Sequence, residues 1–506
     1  MNPLLLDGES LTLESFQQIV NHRKVEIDKK TRDKLSLSRA VVENILRTGK
    51  QIYSLNTGFG FLSKVSIEPQ QLDELQINLI RSHCTGVGEP HSETESRAIL
   101  CLRTNVLAKG YSGIRPELVE FLIEMLNRRI HPVIPTKGSV GASGDLAPLA
   151  HLASVTIGEG EAFCEGARMP GARALHKVGL SPIKLAPKEG LSLINGTQQM
   201  TAVGALVLLQ TEALIEIADL ICSATLDGIL GSPRAYVDWV QKTRPFPGQM
   251  RSANNLSLFA ENSEIYQSHV NCDRVQDPYS LRCAPQVHGA IRDLLSFVRN
   301  TLSIELNAAT DNPLVHWQSG DIVSNGNFHG QPVAFALDIL AMAISEIASI
   351  SERRIAKLIN PAFSDLPAFL VKNEGLNSGF MMAQVTAASL VSENRLLTHP
   401  ASTDSIPTSN EKEDHVSMGP FSARKAKMIL ENTQHVLAIE ALCACQALEF
   451  RKPLKPGRGP SFLYQTIRKH VPALDKDRYL YSDIEEVTQL IRSGRLISSM
   501  KDAGLT

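Results

Sequence analysis

The sequence predicts a mainly α-helical protein in which a long central helical bundle, residues 195–506, follows a less regular N-terminal portion, residues 1–194. Three observations carry that expectation. The 506 residues are 43% hydrophobic with a formal charge of −2, enough apolar material for a large buried core. From about Asn195 onward, apolar residues recur every three or four positions over stretches longer than an ordinary helix. Runs of alternating apolar and polar residues, the mark of half-buried strands, are scarce.

Taken in order, the opening MNPLLLDGESLT has no basic lead and only three leucines before Asp7, so it does not read as an export signal. The first 190 or so residues mix short helical patterns with Gly and Pro breaks, and functional groups often sit on the loops of such chain. Beyond Asn195, Leu214, Ile217 and Ile221 mark one helical face. Ile291, Leu295, Val298 and Leu302 mark a second, and Leu337, Leu340, Ile344 and Ile347 a third. Further helices are expected over Phe380–Leu397 and Met418–Phe450. Between them lie polar loops: NCDRVQDPYSLRC, SNGNFHGQ and THPASTDSIPTSNEKEDHVSM.

Several classes of partner are disfavoured. Lys and Arg are spread along the chain, which leaves no footprint for nucleic acid or anionic membrane. The longest uncharged run, Gly190–Thr211, contains Asn195, Gln198, Gln199 and Thr201, so no membrane span is expected. The eight cysteines have no paired ligand spacing, and they read as reduced thiols of a cytoplasmic protein without a metal site.

One stretch stands apart: KGSVGASGDLAPLAH, Lys137–His151. It is not a serine-hydrolase elbow, because Gly141-Ala-Ser143-Gly-Asp145 ends in Asp, and no Gly-Lys pair follows to make a phosphate loop. Two readings of the residues remain open. The plain one is a glycine-rich turn before a helix start. The chemical one begins with attack of the Gly144 amide nitrogen on the Ala142 carbonyl; loss of water closes a five-membered imidazolone. Dehydration of Ser143 then leaves a conjugated methylidene, an electrophile that ordinary side chains do not provide. Glycine suits the nucleophile's position because a side chain would hinder so close an approach.

With that chemistry on view, GSVGASGDLAPLAH resembles the prosthetic-group segment of the aromatic amino acid ammonia-lyases. YSLNTGFG from Tyr53, GLSLINGTQ around Asn195, QDPYSLR from Gln276, NGNFHG around Phe328 and EDHVSM from Glu413 resemble site segments of the same family, in its order. The resemblance spans about residues 50–450. It implies the family's mostly α-helical fold, shared with fumarase- and aspartase-like lyases, although no GSSxMPxKxN segment of the latter is present. It also implies a 4-methylidene-imidazol-5-one (MIO) made from Ala142, Ser143 and Gly144, with no external cofactor, and a homotetramer.

The pair Ser82-His83 in RSHCTGVGEP resembles that of the histidine-specific members; phenylalanine- and tyrosine-specific ones carry apolar or His-Leu pairs. The implied reaction is elimination of ammonia from L-histidine to give trans-urocanate, the first step of histidine degradation. Tyrosine or phenylalanine lyases and MIO-dependent aminomutases are the alternatives, and attack on the electrophile by the amine or by the ring stays open. Carried over by resemblance, Tyr53 is the base for the β-hydrogen and Tyr279 the second tyrosine. Arg282 binds the carboxylate as a planar fork. Asn195 bonds the prosthetic group or substrate backbone, and Gln276 and Phe328 complete the wall. His83 bonds the substrate imidazole, and Glu413 accepts from its ring N–H. Two departures stand out: Glu411-Lys412 where Asn-Gln is expected, and FHGQP where FHAEP is common. Lys412 is expected near Glu413, favouring its ionised form.

Overall fold

The apolar faces read from the sequence form buried seams on long helices. In the computed structural model, which describes residues 2–48, 56–58, 62 and 64–506, these helices are Gln198–Gly228, Ala284–Glu305, Gln331–Leu358, Met381–Leu397 and Gly419–Arg451. Leu214, Ile217, Ile221, Ile291, Leu295, Val298 and Leu302 are all buried, as are Leu337, Leu340, Ile344 and Ile347. Burial of each such side chain is worth about 1.5–3 kcal/mol, which explains why so long a repeat persists. Packing between helices is close where small residues allow it: a Cβ on Gly204 would lie 2.4 Å from Leu337 Cδ2. Gln331–Leu358 is long and apolar enough to cross a membrane, but 72% of its most apolar window is buried inside the protein, as in a core helix.

The chain divides into two compact units. The first comprises Met1–Leu206, Arg299–Asp338 and Pro400–Arg424, and the second Val207–Val298, Ile339–His399 and Lys425–Thr506. Among the described residues every strand lies in the first unit, each of two to four residues, in three two-stranded sheets and one three-stranded sheet. Helices of the first unit are not all short: Lys29–Thr48 has 20 residues and Glu93–Ala108 has 16. The second of these escapes a periodicity search because it is buried on nearly every side, with Arg97, Arg103, Thr104 and Asn105 among its buried residues. Its start is instead marked by a capping box: Ser92 accepts from the Glu95 amide, and Glu95 accepts from Ser92.

One of the small sheets positions the glycine-rich stretch. Leu72–His83 is a helix with Asp73 and Glu74 in its first turn, where acids favour the helix dipole, and Leu72, Leu79 and Ile80 buried. The chain then turns into strand Val87–Pro90, which pairs antiparallel with Pro135–Lys137, Val87 opposite Lys137. This register brings the end of the His83 helix to the start of the Gly138–Gly144 loop, and a Cβ on Gly138 would lie 3.1 Å from Gly86 Cα. The loop leads into helix Leu146–Thr156, so the plain reading of a turn before a helix start describes its backbone.

Candidate active site

Within the first unit, two backbone segments clamp the Ala142-Ser143-Gly144 loop. On one side Gly144 lies beside Gly196: Asp145 N donates to Gly196 O at 2.7 Å, and Gly196 N to Ser143 O at 3.3 Å. Gly144 has φ +76°, and a Cβ there would sit 2.2 Å from Gly196 O. On the other side Met418 N donates to Val140 O at 2.9 Å, and Ala142 packs against Ala401, Val416 and Met418. A side chain on Gly144 would force the loop away from Gly196, so glycine is a steric requirement at that position.

Asp145 shows why an acid follows the glycines. It stands at the N-cap of Leu146–Thr156 without capping that helix. Its Oδ2 accepts instead from Gln199 N at 2.8 Å and Met200 N at 3.0 Å, in the first turn of Gln198–Gly228. The carboxylate thus ties the loop to the positive end of a 31-residue helix. Burial pushes its pKa up to about 7, against the pull of those two N–H groups.

Ser143 opens onto a cavity of about 600 Å³ whose lining includes Ser82, His83, Ser409 and Glu413 beside Leu79, Leu146 and Leu191. Ser143 Oγ donates to Glu413 Oε1 at 3.2 Å, and Thr408 Oγ1 donates to Oε2 at 2.9 Å. His83 Nδ1 lies 2.8 Å from the Leu79 carbonyl. A carbonyl can only accept, so Nδ1 carries the proton and Nε2 is left as the acceptor. Burial holds this imidazole below its ordinary pKa, outweighing the Leu79 carbonyl and the Glu413 charge, which pull the other way. Burial therefore favours the neutral ring. Lys412, expected to act on Glu413, is exposed.

Asn195 is buried at the C-cap of helix Glu189–Ile194, immediately before the Gly196 that walls the loop. Arg103, wholly buried, donates to Asn195 O at 2.7 Å and to Gln198 Oε1 at 2.8 Å, holding that turn. Phe328 is half-buried in the turn before Gly330 and is not among the residues lining the Ser143 cavity. Tyr53 lies outside the described residues.

Gln276, Tyr279 and Arg282 belong to the second unit, where they line a cavity of about 480 Å³ with Lys357 and Phe363. Tyr279 and Arg282 sit on a single helical turn, Tyr279–Arg282, and the guanidinium lies 4.5 Å from the phenol ring centroid. Buried groups hold the backbone of this turn: Tyr236 Oη donates to Leu281 O at 2.9 Å, and Arg354, paired with Glu440, donates to Ser280 O at 3.4 Å. Among the described residues no cluster of His, Cys, Asp and Glu is arranged to hold a metal ion.

Sequence reasoning had no role for Asp145, Thr408, Arg103, Tyr236 or Arg354. A signal existed for one of them, since a charged residue inside an apolar helical run, as Arg103 is in AILCLRTNVLA, demands a buried partner.

The long helices are those of a helical lyase fold, and the first unit sets a glycine-walled Ala-Ser-Gly loop beside a carboxylate and an imidazole. Comparison with known proteins narrows the class. A family model for aromatic amino acid lyases matches residues 11–469. Histidine ammonia-lyase of Myxococcus xanthus is 53% identical over 501 residues, 99% of each chain. The crystal structure of histidine ammonia-lyase from Trypanosoma cruzi superposes with a TM-score of 0.92 at 42% identity, covering 99% of this chain and 96% of that one. Tyrosine aminomutase from Streptomyces globisporus reaches 0.93 at 37% identity, covering 99% of both. The chain belongs to the aromatic amino acid lyase family, and it is a carbon–nitrogen lyase.

Proposed function

We propose that this protein eliminates ammonia from L-histidine to give trans-urocanate, the first step of histidine degradation, using an MIO formed from Ala142, Ser143 and Gly144. The observation that carries the reading is the cavity shared by Ser143, Glu413 and His83, with a neutral imidazole presenting an acceptor and a carboxylate presenting another. A phenyl side chain would leave both without partners, at a cost of about 1–3 kcal/mol for each buried polar group.

The glycine-walled loop fits a self-made ring. Ring closure brings the Gly144 nitrogen to the Ala142 carbonyl, and glycine at 141 and 144 lets the loop take a positive φ at both positions without a steric penalty. Once formed, the group supplies an electrophilic carbon that activates a bound amino acid toward loss of ammonia. The chain's own residues do the rest. Arg282 pairs with the substrate carboxylate through its two-pronged guanidinium. Glu413 accepts from the imidazole N–H, and His83 Nε2 is a second acceptor for the ring. Asn195 bonds the reacting end of the substrate or the prosthetic group, while Gln276 and Phe328 bound the pocket. Tyr53 removes the β-proton, with Tyr279 as the partnering tyrosine.

The same reading carries a homotetramer in the cytoplasm; association would cover exposed apolar side chains such as Trp239, Leu396 and Met382. The full-length likeness to a tyrosine aminomutase keeps one alternative, an aminomutase or lyase for tyrosine or phenylalanine. An absorbance assay without added cofactor, offering L-histidine, L-tyrosine and L-phenylalanine separately, decides between them. Urocanate from histidine alone is the expected result. Product from tyrosine or phenylalanine instead would overturn the substrate assignment.

A further inference from the structure

Asp311 was not singled out by any motif, yet its carboxylate is the centre of a buried polar cluster. The side chain is buried, and each of its oxygens receives two donors. Lys188 Nζ and Ser192 Oγ both reach Oδ2 at 3.1 Å. Asn195 Nδ2 reaches Oδ1 at 3.3 Å, and the Asn312 amide reaches it at 2.7 Å. Lys188, Ser192 and Asn195 come from the two ends and the middle of one short helix, Glu189–Ile194, so Asp311 grips that helix along its whole length.

This arrangement settles which way the Asn195 carboxamide faces. Its Nδ2 side meets two acceptors, Asp311 Oδ1 and the Asn312 carbonyl at 3.1 Å. Turning the amide over would set its oxygen against a carboxylate oxygen and a carbonyl, a repulsive contact that also takes the Asn195 donor away from both. The other end of the amide is the counterpart: Asn195 Oδ1 is buried and accepts no hydrogen bond among the described residues. A buried acceptor without a donor is costly, on the order of 1–3 kcal/mol, and such groups concentrate where a ligand supplies the missing partner.

We propose that Asp311, held by Lys188 and Ser192, is a positioning residue that locks the Asn195 amide with its oxygen turned toward the reaction site as a lone acceptor. The inference rests on the reading of Asn195 as a site residue. Asp311 touches no reacting atom in this scheme. It acts by denying Asn195 its alternative orientation, and it does so with a carboxylate that Lys188 and Arg103 keep ionised against burial. Asn312 extends the same device: its Oδ1 accepts from the Asn325 amide at 2.9 Å, joining the Asn195 turn to the segment that carries Phe328.

A double-mutant cycle on the full-length protein tests this, with kcat/KM for L-histidine, thermal unfolding and the mass of the Ala142–Gly144 peptide measured for each variant. Asn195→Ala is expected to lower kcat/KM strongly. Asp311→Asn is expected to lower it about tenfold, the size of one charge-assisted hydrogen bond, while the loop peptide still loses both waters. In the Asn195→Ala background, Asp311→Asn is expected to cost nothing further, because the group it orients is gone. An equal loss in both backgrounds would mark Asp311 as structural and overturn the inference. Wild-type rates for Asn195→Ala would overturn the reading of Asn195 itself, a different and distinguishable failure. Should Asp311→Asn not fold, Ser192→Ala removes one donor to Asp311 and keeps the ion pair. A loss of about threefold that vanishes in the Asn195→Ala background supports the proposal, and no loss, or the same loss in both, refutes it.

Discussion

The expected site residues of the first unit and those of the second are built differently. Around Ser143 the groups are enclosed: Gly144 lies against Gly196, Asp145 against a helix N-terminus, and Asn195 against Asp311. In the second unit the backbone of the Tyr279–Arg282 turn is anchored from beneath by Tyr236 and Arg354, but Tyr279 itself is 71% exposed. One region fixes its side chains; the other fixes its main chain and leaves side chains free to meet a ligand. On the proposed function, the difference follows from the chemistry asked of each: closing a ring from three backbone units would need rigid, close-packed walls, whereas gripping a substrate carboxylate would need a guanidinium that can move onto it.

That comparison can be broken in several ways, beginning with the largest effect. Ser143→Ala is expected to fold with an unchanged thermal transition and lose about three orders of magnitude or more in kcat, because no dehydration can follow. A verified variant with wild-type rates would remove the central chemical premise. Gly144→Ala should disturb both folding and maturation. Its φ of +76° and the 2.2 Å approach to Gly196 O predict a loss of about 3 kcal/mol or more, read by thermal unfolding, and a loop peptide that keeps its waters.

Arg282→Lys tests the second region. The point charge remains and the fork is lost, so KM for L-histidine is expected to rise about tenfold with stability unchanged. A drop in stability instead would mean that this region is as enclosed as the first. Tyr236→Phe deletes the hydrogen bond to the Leu281 carbonyl and should cost about 1 kcal/mol of stability with a few-fold fall in kcat.

The mildest effect concerns pH. The folded pKa of His83 is depressed by burial, so the folded protein binds fewer protons there than the unfolded chain does. Its contribution to stability is complete above the ordinary histidine range and is lost as pH falls through that range toward the depressed value. A titration of thermal stability from neutral to mildly acid pH should show a downward slope that is shallower in His83→Gln; an unchanged slope would show that His83 is not the group responsible.

Much of this molecule was legible in its sequence. The faces of Leu337, Leu340, Ile344 and Ile347 are periodic because one side of a helix meets the core, and a repeat of three and four residues records that contact directly. The proposed chemistry of Ala142-Ser143-Gly144 could be framed from the sequence because it would be local: nucleophile, carbonyl and leaving hydroxyl are consecutive. Helix Glu93–Ala108 was not legible, since burial on every side erases the stripe. Asp311 was not either, since its meaning lies in Lys188, Ser192 and Asn195, more than a hundred positions away. The sequence by itself determined the long helices and set out the Ala142-Ser143-Gly144 triad on which the proposed chemistry rests, because both are written in residues that are neighbours along the chain or along one helix face. The tertiary structure alone decided which helix Asp145 caps, which proton His83 carries and which way Asn195 faces. Those outcomes depend on the direction of hydrogen bonds between distant segments, and only folding brings their donors and acceptors within 3 Å or so of one another.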